Sequence, residues 1–236
     1  MPKLRALLDE RVWVRRPKAM SVDKIRRVAF VDPDPTVLAA ANRDAYRTID
    51  GFLRRHWARA GTWPDRNTCL TWMRGQMGLT TQLRRAAGLA KAGAIARRAA
   101  DWVTAHTHTG PAGEPVGDRP LIVWTWHREV ADAIAAALST HEDSAAPTTV
   151  GVITGATRGP ERTRLCDEYQ AGRLPLLVCS IPTVGVGVTL TRGCDAWVAE
   201  CAWTPAEISQ AEDRNHRRGQ TRDVVVTTLR RRRHPG

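Results

Sequence analysis

A run of eleven residues, QAEDRNHRRGQ (210–220), carries the side chains best suited to chemistry in this chain. Arg214 and Arg217 lie four and seven residues after Gln210, so a helix would place all three on one face. Two guanidinium groups on one face suit the charge that spreads over a γ-phosphoryl group during transfer. Asp213 could hold another arginine in a bidentate pair. The competing interpretation is an ordinary solvated helix end, which is the more common meaning of a charged run.

The residues around this run predict a helix with defined ends. Thr204 is suited to the N-cap, Pro205 to the first helical position, and Glu207 to the third position of a capping box. Gly219 is suited to the left-handed position that ends a helix. The loop ahead of the helix, TVGVGVTLT (183–191), follows an apolar run and is the second candidate region.

Apolar bursts alternate with helical patterns after residue 120. The predicted strands are LIVWT (121–125), VGVIT (150–154), LLVCS (176–180), AWVAE (196–200) and VVVTTL (224–229), with helices at 127–138 and 160–170. This alternation predicts an α/β fold with a parallel sheet and helices on both faces. Loops at the carboxyl ends of such strands bind ligands, which places TVGVGVTLT at the functional edge.

The first half of the chain predicts helices at 36–60 and 77–105. The Gly- and Pro-rich stretch between Thr104 and Pro120 predicts a loop. His106 and His108 beside it are more typical of polar surface than of metal ligands. The basic run at 230–234 either contacts phosphate or is a solvated tail.

Composition narrows the class of partner. The 236 residues carry a formal net charge of +12, which favours a polyanion such as nucleic acid. No apolar run approaches the roughly 20 residues that span a membrane, and the first residues lack a secretion signal, so we expect a cytoplasmic protein with no membrane partner. Five cysteines without a CxxC pair argue against disulfides, and we expect no metal site in the protein.

Residues 180–220 resemble motifs V and VI of the Swi/Snf group of superfamily 2 helicases, closest to the annealing-helicase branch. The matching positions are Gly187-Val188-Thr189, Cys194-Asp195, Trp203-Thr204-Pro205 and Gln210 through Gln220. Two positions depart from the pattern of the family. Arg218 stands where the family has an apolar residue, and Thr204 replaces the usual Asn.

Other segments extend the resemblance over most of the chain. LIVWTWHREVADAI (121–134) resembles motif IV, and residues 150–172 resemble the strand and helix that follow it. LRRAAGLAK (83–91) resembles the lead-in to the second lobe, and residues 4–20 resemble the end of the first lobe. The resemblance implies a RecA-like lobe at 79–236, preceded by a helical inter-lobe segment at 1–78.

The resemblance also implies roles for individual residues. Arg217 is the arginine finger, with Arg214 beside it as the second catalytic residue. The nucleotide site would include Gln210, Gly187 and Asp213, and the nucleic-acid contacts would be Thr189, Ser180 and Arg162. The implied cofactors are ATP and Mg²⁺, and the implied partner is duplex or forked DNA.

The sequence also lacks two motifs that ATP hydrolysis requires. It contains no G-x-x-x-x-G-K-[ST] loop and no D-E-x-H box, so it has no lysine to hold the β- and γ-phosphates. We therefore expect a half-site, which works with an N-terminal helicase lobe on another chain or is one part of a split or fragmentary gene, since Met1 falls close to where a first lobe would end. The alternative is a non-catalytic nucleic-acid-binding module derived from a helicase lobe. An RNA helicase lobe is disfavoured by the Q-A-E-D-R form of motif VI.

Overall fold

A six-stranded parallel sheet forms the centre of the fold. The computed structural model describes residues 20, 22–109, 115–140, 149–184 and 188–232. The strands are β1 (Lys24–Val31), β2 (Thr107–Thr109), β3 (Pro115–Gly117), β4 (Leu121–Thr125), β5 (Val150–Ile153), β6 (Leu176–Ser180), β7 (Asp195–Val198) and β8 (Val224–Arg231). The sheet order is β1-β8-β7-β4-β6-β5, and every neighbouring pair is parallel.

Three helices lie between β1 and the later strands of the sheet, and further helices connect those strands. They are α1 (Pro35–Ala60), α2 (Arg66–Arg74), α3 (Met77–Ala105), α4 (Arg128–Ser139), α5 (Gly159–Ala171), α6 (Ile181–Val184) and α7 (Pro205–Asn215). The predicted fold class is confirmed, because strand and helix alternate as the hydrophobic pattern indicated. Within the described part of the chain, no helix combines the length and the apolar character that crossing a membrane requires.

The central strands bury both faces, which explains why they read as continuous apolar runs. On one face, Val123 and Trp197 pack against α3 and α4. On the other face, Ile122 and Leu177 pack against α5 and α7. Successive side chains of a strand point to opposite faces, so one strand contributes to both cores. The carboxyl ends of these strands therefore emerge between two helical layers.

The N-terminal segment contains a strand as well as helices. The prediction for residues 1–78 was a helical lead-in, but β1 pairs in register with β8 at the edge of the sheet. Its sequence, KIRRVAFV, is largely exposed and interrupted by charges, so it lacks the apolar run that identified the other strands. Residues 1–19 lie outside the described residues. The sheet therefore contains strands from both sides of residue 78.

The Gly- and Pro-rich stretch is only partly a loop. Thr107–Thr109 pairs antiparallel with Pro115–Gly117, so the prediction of a continuous loop between Thr104 and Pro120 is wrong at these positions. Strands of three residues are too short to show an alternating pattern, whereas the many Gly and Pro residues around them predict a loop. Residues 110–114, between the two strands, are outside the described residues.

Helices α1 and α2 form a helical hairpin (residues 35–76). The side chain of Asp34 caps α1, Gly61 ends it with a φ of 64°, and the side chain of Asp65 caps α2. Helix α1 packs against α3, yet Ala45 is the one buried residue in α1, and α2 has none. It is therefore the least buried helical part of the described chain.

Candidate functional site

Helix α7 begins as predicted and ends earlier than predicted. The capping box forms: the Glu207 backbone N–H donates to Thr204 Oγ1 at 3.3 Å, and the Thr204 N–H donates to Glu207 Oε2 at 2.9 Å. The helix ends at Asn215, so Arg217 lies beyond it and not on its i+7 face. This corrects the predicted helical geometry. A network of buried polar groups ends the helix before Gly219.

That network joins the end of α7 to the loop before β7. The carbonyl oxygen of Gly193 accepts hydrogen bonds from Asn215 Nδ2 and Gln220 Nε2, each at 3.1 Å. Gly193 permits the close approach, because an added Cβ would lie 2.1 Å from the hydroxyl oxygen of Tyr169. Asn215, Gln220 and Gly193 form what we call the polar clamp. It holds the two predicted motifs in one arrangement.

The turn after α7 positions Arg217. The Gln220 N–H donates to the Arg217 carbonyl at 3.0 Å, and Gly219 occupies this turn with a φ of 95°. The left-handed conformation predicted for Gly219 is present, but in a tight turn after the helix rather than at its last residue. A positive φ is strained for residues with a Cβ, so glycine suits this position.

The two predicted motifs meet through side chains as well as backbone. Arg217 Nη1 donates to Thr189 Oγ1 at 3.2 Å, and both residues are exposed. One residue further along the loop, the Leu190 N–H donates to the carbonyl oxygen of Arg214 at 3.1 Å. The structure thus brings the predicted catalytic arginine beside a predicted nucleic-acid contact. The sequence did not predict the contact between Arg217 and Thr189, because the two residues lie 28 positions apart.

Arg162 lies in a groove that Thr189 also borders. The groove has a volume of about 660 Å³ and runs between α5 and the loop before β7. Its lining residues are Gly159, Arg162, Thr163, Cys166, Asp167, Gln170, Val188 and Thr189. Together with Arg217, the groove forms a surface that carries three of the predicted site residues. Its guanidinium and hydroxyl groups are donors suited to phosphate oxygens.

Other predicted site residues lie elsewhere. Gln210 is exposed and borders a separate cavity of about 150 Å³ beside Trp126 and Pro182. Ser180 is buried at the end of β6, and its hydroxyl donates to the Trp126 carbonyl at 3.5 Å. Ser180 is therefore held by the strand end rather than presented on the groove. Gly187 lies outside the described residues.

Two acidic residues near the end of α7 contact the edge strand. Asp213 Oδ1 accepts from Lys24 Nζ at 3.0 Å, and Glu212 Oε1 accepts from Arg26 Nε at 3.0 Å. Burial opposes ionisation of Glu212, but hydrogen bonds from Arg26 and Lys24 outweigh it and hold the pKa of that carboxyl below its ordinary value. In this structure Asp213 thus pairs with a lysine of β1, and it also interacts electrostatically with Arg26. Arg214, between these residues and the polar clamp, is half-buried.

Sequence reasoning missed the buried polar residues that build this region. Glu212 and Asn215 are fully or almost fully buried and share a helical stripe with Ile208 and Ala211. Polar residues at i+4 and i+7 of an otherwise apolar stripe signal a buried network, because such groups require partners. That signal was available in the sequence.

A second network lies at the carboxyl end of β4. The buried carboxylate of Glu200 accepts from the backbone N–H groups of Trp126 and His127, each at 2.9 Å, and from His127 Nδ1 at 2.7 Å. These bonds satisfy amide groups at the start of α4 that have no partner within the helix. Glu200 therefore joins the ends of β7 and β4. The sequence had indicated only a strand ending at Glu200.

The assembled edge of the sheet is cationic and rich in donors. Within the described residues, no three His, Cys, Asp or Glu side chains are grouped so that they could hold a metal ion. All five cysteines are free thiols. The guanidinium and hydroxyl groups at this edge favour contact with anionic oxygen atoms.

Comparison with known proteins shows what this chain is similar to. No protein-family model matches the chain. A Caenorhabditis elegans homolog of SWI/SNF-related matrix-associated actin-dependent regulator of chromatin subfamily A-like protein 1 is 26% identical over 96% of this chain and 29% of its own length. The DNA annealing helicase and endonuclease ZRANB3 of Bos taurus is 28% identical over 65% of this chain and 13% of its own length. The chain thus spans a minor part of the curated relatives it matches.

Two solved structures share the fold. The C-terminal part of the Fun30 ATPase domain superposes with a TM-score of 0.59 and 15% identity, over 89% of this chain and 86% of that one. The SWI2/SNF2 ATPase core of Sulfolobus solfataricus, solved in complex with dsDNA, gives 0.54 and 18% identity, over 88% and 41%. In its sequence relatives, motif order and fold taken together, the chain is similar to the C-terminal RecA-like lobe of Swi/Snf proteins of superfamily 2.

Proposed function

We propose that this chain is the C-terminal lobe of an ATP-dependent DNA translocase. In this proposal Arg217 is the arginine finger, Arg214 and Gln210 support the nucleotide site, and Thr189 and Arg162 contact the DNA backbone. The hydrogen bond between Arg217 and Thr189 carries the proposal. It links the group assigned to the nucleotide with a group assigned to DNA, so a shift of one can move the other.

The Arg217 side chain is suited to binding a triphosphate. Arginine presents its donors in a fixed planar fork that matches phosphate oxygens, and the Arg217 side chain is exposed at the edge where a ligand would approach. Bound ATP would supply the phosphoryl group, and Arg217 would stabilise the charge on it. We assign Mg²⁺ to the partner lobe, because the sequence contains no phosphate-binding loop with the hydroxyl that holds this ion.

The partner lobe follows from the chemistry that the sequence omits. No phosphate-binding loop with its lysine occurs in the sequence, so this chain by itself lacks the group that holds the β- and γ-phosphates. We propose that a first RecA-like lobe on another chain supplies it. ATP would then bind between the two lobes, with Arg217 on one wall.

Reconstitution with a first lobe tests the proposal. The chain alone should hydrolyse no ATP, whereas a mixture with a first lobe of a Swi/Snf protein should show ATPase activity that duplex DNA stimulates. Turnover by the chain alone would contradict the half-site. A mixture that binds DNA but never hydrolyses ATP would favour a second candidate function, that of a non-catalytic nucleic-acid-binding module.

The second candidate is a non-catalytic nucleic-acid-binding module. The net charge of +12 favours it, because a basic surface binds the phosphate backbone without chemistry. A pure binding module has no use for an arginine aimed at a nucleotide, and for that reason we rank it second. DNA affinity should fall steeply with salt under either candidate.

A further inference from the structure

The helical hairpin (residues 35–76) exposes aromatic rings that the fold does not need. Tyr46 is 69% exposed, Trp57 46% and Trp63 62%. The hairpin has its own aromatic contact, a stacked pair of Phe52 and Trp72 with ring centroids 4.3 Å apart. Since that pair already joins α1 to α2, the exposed rings contribute little to holding the helices together.

The exposed rings follow one line along the hairpin. Tyr46, Ile49, Leu53 and Trp57 recur at intervals of three or four residues, which places them on one face of α1. Eleven residues separate Tyr46 from Trp57, a length of about 16 Å at the helical rise. At the tip, the Trp57 and Trp63 ring centroids lie 4.9 Å apart. The line is long enough for about five nucleotides at the spacing of a stacked strand.

The charges around this line are unbalanced. The hairpin contains seven arginines, three aspartates, and no lysine or glutamate. Asp44 pairs with Arg47, Asp50 pairs with Arg54, and Asp65 caps α2. The aspartates are therefore all engaged within the hairpin, and the excess positive charge remains on its surface.

Arginines without an acidic partner flank the aromatic line. Within the described part of the chain, Arg43, Arg59 and Arg66 are exposed and have no ion pair. Arg59 and Arg66 lie two and three residues from the tip tryptophans, and Arg43 lies three residues before Tyr46. Exposed aromatic faces with free guanidinium groups beside them are the features of surfaces that bind unpaired nucleotides.

We propose that the helical hairpin binds single-stranded DNA. Bases stack on Tyr46, Trp57 and Trp63, and Arg59 and Arg66 contact the phosphates. Single strands fit better than duplex, because a stacked duplex hides the base faces that the rings would cover. The inference deepens the proposed function and rests on it, since an unpaired strand is what a translocase meets at a forked substrate.

The first test separates stacking from general apolar contact. Binding of the whole chain to a fluorescent oligothymidylate would be measured by anisotropy for W57L/W63L and for W57F/W63F. Leucine keeps the apolar area but removes the ring, so W57L/W63L should lose affinity by about 5- to 100-fold per ring. W57F/W63F should retain most of the affinity. Equal affinity of wild type and W57L/W63L would overturn the proposal.

The second test concerns the arginines. R59A/R66A should reduce the slope of log K against log salt by about 0.7 per arginine on the same oligonucleotide. The matched control is R97A/R173A, which removes two exposed arginines that have no ion pair within the described residues. An equal loss of slope in both variants would mean that the hairpin arginines contribute only net charge, and it would contradict a site on the hairpin.

Two further outcomes keep the proposals separate. If the hairpin bound a protein instead, W57L/W63L would bind oligothymidylate as wild type does. ATPase activity stimulated by duplex DNA, measured with a first lobe, should persist in every hairpin variant. Absence of that activity in the wild-type mixture would overturn the proposed function, whereas loss of oligothymidylate binding in W57L/W63L alone bears on the hairpin. Thermal unfolding monitored by circular dichroism would show that each variant is folded.

Discussion

Two arginine-containing regions of this chain, residues 205–220 and the helical hairpin, differ in whether their polar side chains are buried or exposed. In residues 205–220, Glu212, Asn215 and Gln220 are buried and hydrogen-bonded, and Arg217 emerges from this frame. In the helical hairpin, the arginines stand on the surface, and Ala45 is the one buried residue of its two helices. One region fixes a side chain by a network, and the other displays side chains along a helix.

The difference fits the different tasks that we assign to them. A group that stabilises a transition state must already be in position, because reorganisation during the reaction would reduce its effect. A surface that binds successive nucleotides of any sequence tolerates mobile side chains and benefits from their number. We therefore expect substitutions in residues 205–220 to have larger effects than those in the hairpin.

The largest effect is expected at Arg217. Arg217→Ala should lower kcat for DNA-stimulated ATP hydrolysis by about 10³- to 10⁵-fold in the mixture with a first lobe, since arginine fingers are worth that much in rate. Arg218→Ala is the control, because Arg218 is the next exposed residue and stands where the family has an apolar one. Equal losses in the two variants, or unchanged turnover in Arg217→Ala, would contradict the finger assignment.

The next effect concerns the polar clamp and requires no partner lobe. Gln220 donates to Gly193 and Asn215 and accepts from the N–H groups of Thr221 and Arg222. Gln220→Ala leaves buried groups without partners, so it should lower the free energy of unfolding by about 1–3 kcal/mol in urea denaturation.

Gln210→Ala is the matched control for Gln220→Ala. The same residue type is exposed at the other end of the motif, so its replacement should change the free energy of unfolding by less than about 0.5 kcal/mol. If both glutamines proved equally tolerant, the clamp would not be the stabilising frame of this region.

A smaller, pH-dependent effect is expected at Glu212. Its pKa is lowered in the folded chain from an ordinary value of 4.5, so the charged form stabilises the fold above that pH. This contribution should be lost as the pH falls through the folded pKa. Glu212→Gln should lower the free energy of unfolding by about 1 kcal/mol at neutral pH, because Lys24 and Arg26 are partly solvated.

The measurement is urea denaturation between pH 7 and pH 3. The stability difference between wild type and Glu212→Gln should shrink as the pH falls below 4.5. A difference that stays constant over this range would mean that the carboxylate charge does not hold β1 to α7.

The smallest effect is expected in the helical hairpin. W57L/W63L should change the free energy of unfolding by less than about 0.5 kcal/mol per site, because both side chains are exposed. Thermal unfolding would measure this. A large loss of stability would show that the tip tryptophans hold the hairpin together, and the contrast between the two regions would then disappear.

Much of the fold was predictable from local pattern. The strands β4 and β6 and the long helices α1 and α3 lie at or within one residue of their predicted bounds, because burial on both faces and helical periodicity are strong local signals. The strand β1 was missed because its stability comes from pairing with β8, whose residues lie two hundred positions later in the chain. The antiparallel pair of β2 and β3 was missed because each strand has only three residues.

In the candidate site, too, the features that depend on neighbouring residues were predictable, and those that depend on distant residues were not. The cap of α7 was predictable, since Thr204, Pro205 and Glu207 act over a single turn. The end of the helix was not, because the polar clamp that replaces further helical turns involves Gly193, which lies outside α7. The roles assigned to Arg217, Arg214, Gln210 and the other site residues remain predictions.

The sequence by itself determined the alternation of strands and helices and the presence of two conspicuous motifs that resemble those of Swi/Snf helicases. Only the tertiary structure decided that Arg217 stands beyond its helix and donates to Thr189, that Ser180 is buried, and that Asp213 and Glu212 hold an edge strand. The physical reason is the distance along the sequence over which each interaction acts. Capping and periodicity act between residues a few positions apart, whereas buried polar groups take whatever partners the folded chain brings within hydrogen-bonding distance.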